Sequence, residues 1–434
     1  MKIPQVLLVE VQHAPGQLAK MLTEIASLEL TVEGLEAQSR TQDKTIWELT
    51  LEIDPGQEAA VEAAVERSGI ARVVGTSDRA FSRHIGGKID VRSTVQFDDL
   101  KTLRDVYTPG VARVCLAIQR DPSLAEKYTA IKRTVGIVTN GTAILGLGDI
   151  GPVAGMPVME GKSALFQEFG AVSAVPILTT HKRAEDIVSL VKGIAPTFGA
   201  IQLEDIAAPE CFEIENRLRE CLDIPVLHDD QHGTAVVVLA ALLRGETIAG
   251  FDLRASKIGQ VGLGAAGMGI ARLLLRYGVP EVLGADLSDD AMTRFEAFGG
   301  VRSTLRGVMQ NAEIIIATTG APGLIKPEMI REGQTIFALS NPEPEIEPTL
   351  ALEQGARFAA DGKNINNVLA FPGLFRGALD AGASEFNDDM LFAAARAIAE
   401  AAATGGETGL IPSPLCRRTH AMVAAYVKES ALAT

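Results

Sequence analysis

Hydrophobic and polar positions follow three successive rhythms along this chain. The first covers residues 4–77. Gln5 to Val11 alternates as a strand, Pro15-Gly16 turns the chain, and Gln17 to Leu28 places Leu18, Met21, Leu22 and Ile25 at helical spacing. Two more strands are read at Thr31–Gln38 and Thr45–Ile53, then a helix from Asp54-Pro55-Gly56 through Val65, then a strand at Ala71–Val74. This βαββαβ order predicts a ferredoxin-like split unit. A polar, glycine-bearing stretch at 79–95 reads as a linker. In the second rhythm, strands are expected at Val135–Thr139, Ala143–Leu147, Ala174–Leu178 and Ala200–Leu203, with helices such as Ser163–Phe169 and Ala184–Lys192 between them. From Thr234 the third begins: a helix over Ala235–Leu243 ended by Gly245, a strand at Lys257–Val261, a helix at Met268–Tyr277, and strands at Glu281–Ala285, Ile314–Ala317 and Gln334–Ala338. Alternating β and α of this kind predicts a parallel, doubly wound α/β sheet of Rossmann type. The expected divisions are 1–78, a linker at 79–95, 96–230, and 231–434 with C-terminal helices.

Composition narrows the function classes. At 434 residues the chain is too long for one core, so two or three domains are expected. No run reaches the roughly 18 uninterrupted apolar residues of a membrane span. The start, MKIPQVLLVEVQ, is too soon interrupted for a signal peptide. Cys115, Cys211, Cys221 and Cys416 show no CxxC spacing, which fits a reducing cytoplasm. A net charge of −15 argues against nucleic acid and anionic membranes as partners. It also means that an anionic substrate needs local positive charge or a metal.

Two stretches carry such chemistry: Leu203-Glu204-Asp205-Ile206 and Leu227-His228-Asp229-Asp230-Gln231-His232-Gly233-Thr234. Each sets acids at the end of an apolar run, where carboxylates persist only if paired or metal-bound. Their hard oxygen ligands suit Mg²⁺ or Mn²⁺. Glu204 and Asp205 are consecutive, so a regular strand would point them apart, and a strand end or loop is expected there. His228 and His232 stand four apart without an HExxH order, and are read as capping or orienting groups.

The chain holds two matches to G-x-G-x-x-G. The match at Gly262, Gly264 and Gly267, with Ala265 and Ala266 between, lies between a predicted strand and an uninterrupted helix, as a pyrophosphate site requires. Asp286 follows Gly267 by 19 residues, where a carboxylate accepts from a ribose 2′-hydroxyl and repels a 2′-phosphate, so NAD is preferred over NADP. The match at Gly146–Gly151 runs into Pro152, Gly155 and Pro157, which argue against a helix there, so it reads as a structural or substrate loop.

Several motifs in order resemble the malic enzyme family, in its bacterial, short-chain form. They are Tyr107-Thr108-Pro109-Gly110, Val138-Thr139-Asn140-Gly141, Gly146-Leu147-Gly148-Asp149, Pro157-Val158-Met159-Glu160-Gly161-Lys162, the two acidic stretches, Leu339-Ser340-Asn341-Pro342 and Asn366-Asn367-Val368. The resemblance implies NAD-dependent oxidative decarboxylation of (S)-malate to pyruvate, with Lys162 as base, Tyr107 as acid and Asp229 as partner of the lysine. It also implies a divalent cation on Glu204, Asp205 and Asp230, with Asn341 and Asn367 beside substrate and nicotinamide. A free lysine is a poor base at neutral pH, and lowering its pKa by about 3 units requires roughly 4 kcal/mol of environment. Ala143 departs from animal-type members, which carry an arginine there to clamp a substrate carboxylate. Residues 1–78, through Ala14-Pro15-Gly16-Gln17-Leu18-Ala19, resemble an ACT domain. That likeness implies a small effector, an amino acid, near Gly16, and a homodimer or higher homo-oligomer. Two rival readings are a malolactic enzyme, which would release lactate, and an inactive amino-acid sensor.

Overall fold

The computed structural model describes residues 3–54, 56–76, 79–144, 146–341, 343–362, 365–404 and 409–433. Its contacts divide the chain into two compact units, Met1–Lys88 and Ile89–Thr434.

In the first unit the strands are β1 (Ile3–Gln12), β2 (Val32–Arg40), β3 (Lys44–Ile53) and β4 (Ala71–Thr76). Helix α1 (Gln17–Ala26) follows β1, α2 (Glu58–Arg67) follows β3, and α3 (Arg79–His84) follows β4. The sheet order is β2-β3-β1-β4 and every pairing is antiparallel. Alternation places Leu7, Val9 and Val11 of β1 with Leu49, Leu51 and Ile53 of β3 on one face. Met21 and Ile25 of α1 and Val61 and Val65 of α2 cover that face. Gly16 stands before α1 at φ 78, a left-handed conformation that glycine adopts freely. The stretch read as a linker opens with α3, so it is not structureless throughout.

The second unit begins with α4 (Leu100–Val106), α5 (Val111–Arg120) and α6 (Leu124–Tyr128). Strands β5 (Thr134–Thr139), β6 (Ser173–Leu178), β7 (Ala200–Leu203) and β8 (Val226–His228) form a parallel sheet in the order β6-β5-β7-β8. Between them run α7 (Pro152–Leu165), α8 (Ala184–Ile194) and α9 (Glu210–Cys221), and α10 (Asp229–Ala249) leads out of the sheet. A second parallel sheet holds β9 (Lys257–Val261), β10 (Glu281–Ala285), β11 (Val301–Arg302), β12 (Ile314–Ala317), β13 (Thr335–Ala338) and β14 (Phe358–Asp361). With α11 (Ala265–Tyr277), α12 (Asp289–Ala297), α13 (Leu305–Asn311) and α14 (Pro348–Glu353) interleaved, its order is β11-β10-β9-β12-β13-β14. That order, 3-2-1-4-5-6, is the dinucleotide-binding arrangement, with its crevice where the order reverses between β9 and β12. Helices α15 (Phe371–Ala381), α16 (Asp388–Thr404) and α17 (Arg417–Ala433) complete the chain.

Three local expectations are corrected. No strand forms over Ala143–Leu147: Ile144 pairs only with Gly148, as an isolated bridge, and Gly141, Gly146 and Gly148 all take left-handed φ (Leu145 lies outside the described residues). Pro152 does not forbid a helix but starts one, since its missing N–H is not needed at the first position. Pro157 lies inside that helix, and the ladder continues past it to Leu165. Gly245 does not end α10, which runs on to Gly250 at φ 69. Gly245 serves packing instead, because a Cβ there would lie 2.9 Å from the Phe251 ring. Helix α10 is long and apolar enough to cross a membrane, but most of it is buried in this unit, with Ala235 to Leu242 wholly enclosed.

One apolar core spans both parallel sheets, from Val135 and Ile137 through α10 to Ile258 and Ile316, and includes α15–α17. At the contact of α15 and α17 a Cβ on Gly377 would lie 2.7 Å from Val427 Cβ and 2.6 Å from the Ala424 carbonyl oxygen. Gly377→Ala is therefore expected to destabilise this unit by about 1–3 kcal/mol through overpacking. A thermal or urea transition unchanged from wild type would contradict this packing.

Candidate active site

The acids stand at the carboxyl ends of the first parallel sheet, where strand ends expose main chain and side chains to a crevice. β7 stops at Leu203, and Asp205 takes φ 52, a left-handed backbone that aspartate tolerates better than most residues. This break in the strand frees the two adjacent acids from pointing to opposite faces. Next door, β8 ends at His228, and Asp229 and Asp230 form the first turn of α10, where the helix dipole favours negative charge. The Asp205 backbone N–H donates to Asp230 Oδ2 at 2.9 Å, tying the two strand ends together.

Lys162 comes from the last turn of α7 and is buried. Its Nζ lies 2.5 Å from Asp229 Oδ2 and 2.6 Å from Glu204 Oε1, and 4.5 Å from the centre of the Phe371 ring. Gln202 donates to the other Glu204 oxygen at 2.5 Å. Glu204, Asp205 and Asp230 each offer one oxygen, all within 4.8 Å of one another. Asp205 Oδ2 and Asp229 Oδ1 are buried without a hydrogen-bond partner.

Burial and mutual repulsion dominate the electrostatics. Burial, with Glu204 and Asp230 adding like charge, pushes Asp205 up to about 9. Burial likewise raises Glu204 to about 7 against the pull of Lys162, and Asp229 and Asp230 to about 6. For Lys162, burial lowers the pKa, but attraction to Asp229, Glu204 and Asp230 outweighs it, and the net shift is upward. The depressed lysine pKa expected for a base is thus not present while the acids are uncompensated. Burial lowers His228 to about 4, so it is neutral.

The second sheet supplies the dinucleotide crevice. Gly262 follows β9 at φ 85, and a Cβ there would lie 2.7 Å from the Thr318 carbonyl oxygen. Gly264 precedes α11, and Ala265, Ala266 and Gly267 form its first turn. A side chain on Gly267 would collide with the Gly262 carbonyl oxygen. Asp286, at the end of β10, accepts from the Leu263 backbone N–H at 2.6 Å and from that of Ser288 at 2.8 Å, which anchors the glycine loop. Asn341 follows β13 and donates to the Gly362 carbonyl at 3.2 Å. Asn367 flanks α10, with its Cβ 3.4 Å from where a Gly233 Cβ would stand.

Of the residues singled out in the sequence, the structure brings Lys162, Asp229, Glu204, Asp205 and Asp230 into one cluster. It does not bring Tyr107 there. That ring ends α4, is 68% exposed, and no hydrogen bond joins it to the cluster among the described residues. The Gly146–Gly151 loop leads directly into α7, the helix that carries Lys162. Ala143 contributes its backbone N–H, which donates to the Asp205 carbonyl at 3.0 Å. Sequence reading missed Glu215, which is held at about 2 by His232 and His228 against its burial. Its signal was present: Cys211, Ile214, Glu215 and Leu218 form the buried stripe of α9, and an acid on such a stripe needs partners.

A family model described as malic enzyme, N-terminal domain, matches residues 87–183 and 179–219. NAD-dependent malic enzyme 1 of Bacillus subtilis is 49% identical over 98% of this chain and 97% of its own length. The chain belongs to the malic enzyme family. An NAD-dependent malic enzyme of Geobacillus stearothermophilus is 43% identical over 93% of this chain and 89% of its own length. Among solved structures, the Pyrococcus horikoshii malic enzyme superposes with a TM-score of 0.76 at 42% identity, covering 80% of this chain and 87% of that one. The Thermotoga maritima NAD-dependent malic enzyme gives 0.75 at 38% identity, covering 82% and 99%.

The residues present fit a divalent cation. Three carboxylates with raised pKa values converge, and two of the buried oxygens here have no donor. The pH dependence follows. Each acid holds its proton more tightly folded than unfolded, so the stability this cluster contributes is full below about pH 4 and is lost as pH rises through about 6 to about 9. Lys162 stays an ammonium in both states across that window and adds no slope. The thermal stabilisation given by saturating Mn²⁺ is therefore expected to be larger near pH 9 than near pH 6. Equal shifts at the two pH values would refute this electrostatic account.

Proposed function

We propose that this chain oxidises and decarboxylates (S)-malate to pyruvate and CO₂ with reduction of NAD⁺, and that the cluster around Lys162 is where this happens. The observation that carries the reading is the buried ammonium held by Glu204 and Asp229 beside a three-carboxylate site. Glu204, Asp205 and Asp230 would hold Mg²⁺ or Mn²⁺, which supplies Lewis acidity for oxidation and for loss of CO₂. The Gly262–Gly267 turn and Asp286 would seat NAD⁺, which would supply the acceptor for the hydride of C2.

Lys162 takes the proton of the C2 hydroxyl. In the uncompensated cluster three acids hold it as an ammonium. Compensation of their charge leaves burial as the dominant influence, and burial favours the neutral amine. Asp229 keeps the amine aimed at the substrate through its 2.5 Å contact. Loss of the C4 carboxylate as CO₂ leaves an enolate whose C3 must gain a proton, the role the resemblance implies for Tyr107, although within one chain that ring stands apart from the cluster. Asn341 and Asn367 offer amide groups to the substrate and nicotinamide.

Lys162→Ala is expected to lower malate turnover by about 10²–10⁴-fold, the usual contribution of a general base. Pyruvate and NADH should accumulate together in the wild-type reaction. Lactate without free NADH would establish the malolactic reading, and full turnover by the variant would remove Lys162 as base.

Helices α4, α5 and α6 bury none of their residues, and Phe97, Leu100, Leu103, Val106, Tyr107 and Leu116, on or next to them in sequence, are all exposed. Such a face is where a second copy of the chain would dock, giving the homo-oligomer. The unit Met1–Lys88 is proposed to be an ACT-like regulator that takes an amino acid near Gly16. Light scattering and thermal shift across a panel of amino acids test both ideas, with a multiple of the chain mass and a shift for at least one amino acid expected. A single-chain mass throughout would exclude the oligomer, and an unmoved transition would exclude the effector.

A further inference from the structure

Glu215 is a buried carboxylate close to a site already crowded with acids, on the apolar stripe of α9. Such a group persists only with strong partners, and the identity of its partners is informative. Its oxygens accept the His228 backbone N–H at 2.9 Å, the Gln231 amide at 3.3 Å and His232 Nε2 at 3.0 Å. All three donors lie within His228–His232, the five residues that bracket Asp229 and Asp230. Gln231 is also where the dinucleotide helix approaches α10, since a Cβ on Gly269 would lie 2.8 Å from the Gln231 carbonyl carbon and 2.9 Å from its Cα.

We infer that Glu215 is a positioning residue: it grips both ends of the first turn of α10 and so fixes the direction in which Asp230 presents its carboxylate to a divalent cation. The inference rests on the reading of Glu204, Asp205 and Asp230 as metal ligands. A carboxylate is suited to this task because it only accepts, and the turn presents one backbone and two side-chain donors to it. A cavity of about 170 Å³ behind the turn, lined by Glu215, Arg219, His232, Gly269 and Arg272, opens onto two of these groups, Glu215 and His232. Water there could satisfy His232 if the carboxylate were altered, but it could not fix the direction of the turn. Loss of Glu215 should therefore weaken metal binding more than folding.

The test is direct Mn²⁺ binding to the full-length protein, read from the free-ion resonance in electron paramagnetic spectra, together with kcat as a function of Mn²⁺. Glu215→Gln is expected to raise the Mn²⁺ dissociation constant about 10–100-fold, as loss of a ligand-orienting partner does elsewhere. Excess Mn²⁺ should restore most of kcat, a recovery that a merely structural defect would not show. Gln231→Met, which leaves the other two bonds of Glu215 in place, should give a smaller rise in the same direction. Glu220→Gln, an exposed acid on the same helix, should bind as wild type. Unaltered Mn²⁺ affinity in Glu215→Gln would overturn the inference while leaving the metal site standing. If that variant fails to fold, unaltered affinity in Gln231→Met overturns it. Wild-type protein that binds no Mn²⁺ would remove both the inference and the reading beneath it.

Discussion

The site depends on one electrostatic conflict: five charged side chains, four of one sign, are gathered at the ends of two adjacent strands with little water to screen them. A buried carboxylate is costly, and Glu204, Asp205 and Asp229 are buried beside a half-buried Asp230, yet Lys162 supplies only one compensating charge. The remaining imbalance appears as acids whose pKa values are driven up and as orphaned oxygens at Asp205 and Asp229. On the proposed reading, a divalent cation held by the triad would resolve the conflict and would free the lysine from the attractions that keep it protonated. Metal binding and the proton state of Lys162 would then be aspects of one charge balance.

The fold makes this conflict tolerable. Parallel strands bury their length and expose their carboxyl ends, so polar groups gather at one edge of an otherwise apolar structure. β5 is buried along its whole length, and β7 and β8 are short and end at the acids. Helix α10 joins the two parallel sheets, starting with Asp229 and Asp230 and continuing through the core, where Ala235 to Leu242 are enclosed. The acid cluster and the crevice of the second sheet are therefore joined through α10, which α11 meets one residue beyond Asp230. The comparisons fit this picture, since relatives matching nearly the whole chain are NAD-dependent malic enzymes.

Short-range patterning determined a good deal. Alternation in Gln5–Val11 and Thr45–Ile53, the runs of β9, β10, β12 and β13, and the glycine turn at Gly262–Gly267 all have local causes, because strand faces and tight turns are set by neighbours a few residues away. The acidic stretches were legible for the same reason: acids ending apolar runs stand out. Local reading failed where packing overrode propensity. Pro157 sits within α7, and Gly245 within α10, because the surrounding core supplies more than a single proline or glycine removes. Two-residue β11 and half-buried β14 carried too little pattern to be seen.

What only the tertiary structure decided are relations between distant residues. Lys162 and Asp229 are 67 positions apart, and no periodicity could place them 2.5 Å from each other. Nor could it show that Glu215 faces inward onto His228, Gln231 and His232, or that Tyr107 stands apart from the cluster. Sequence by itself named the groups capable of the chemistry, because chemistry belongs to side chains. Their distances, and hence the sign of the Lys162 shift, came from the fold, because Coulomb energy and desolvation depend on separation and burial rather than on order along the chain.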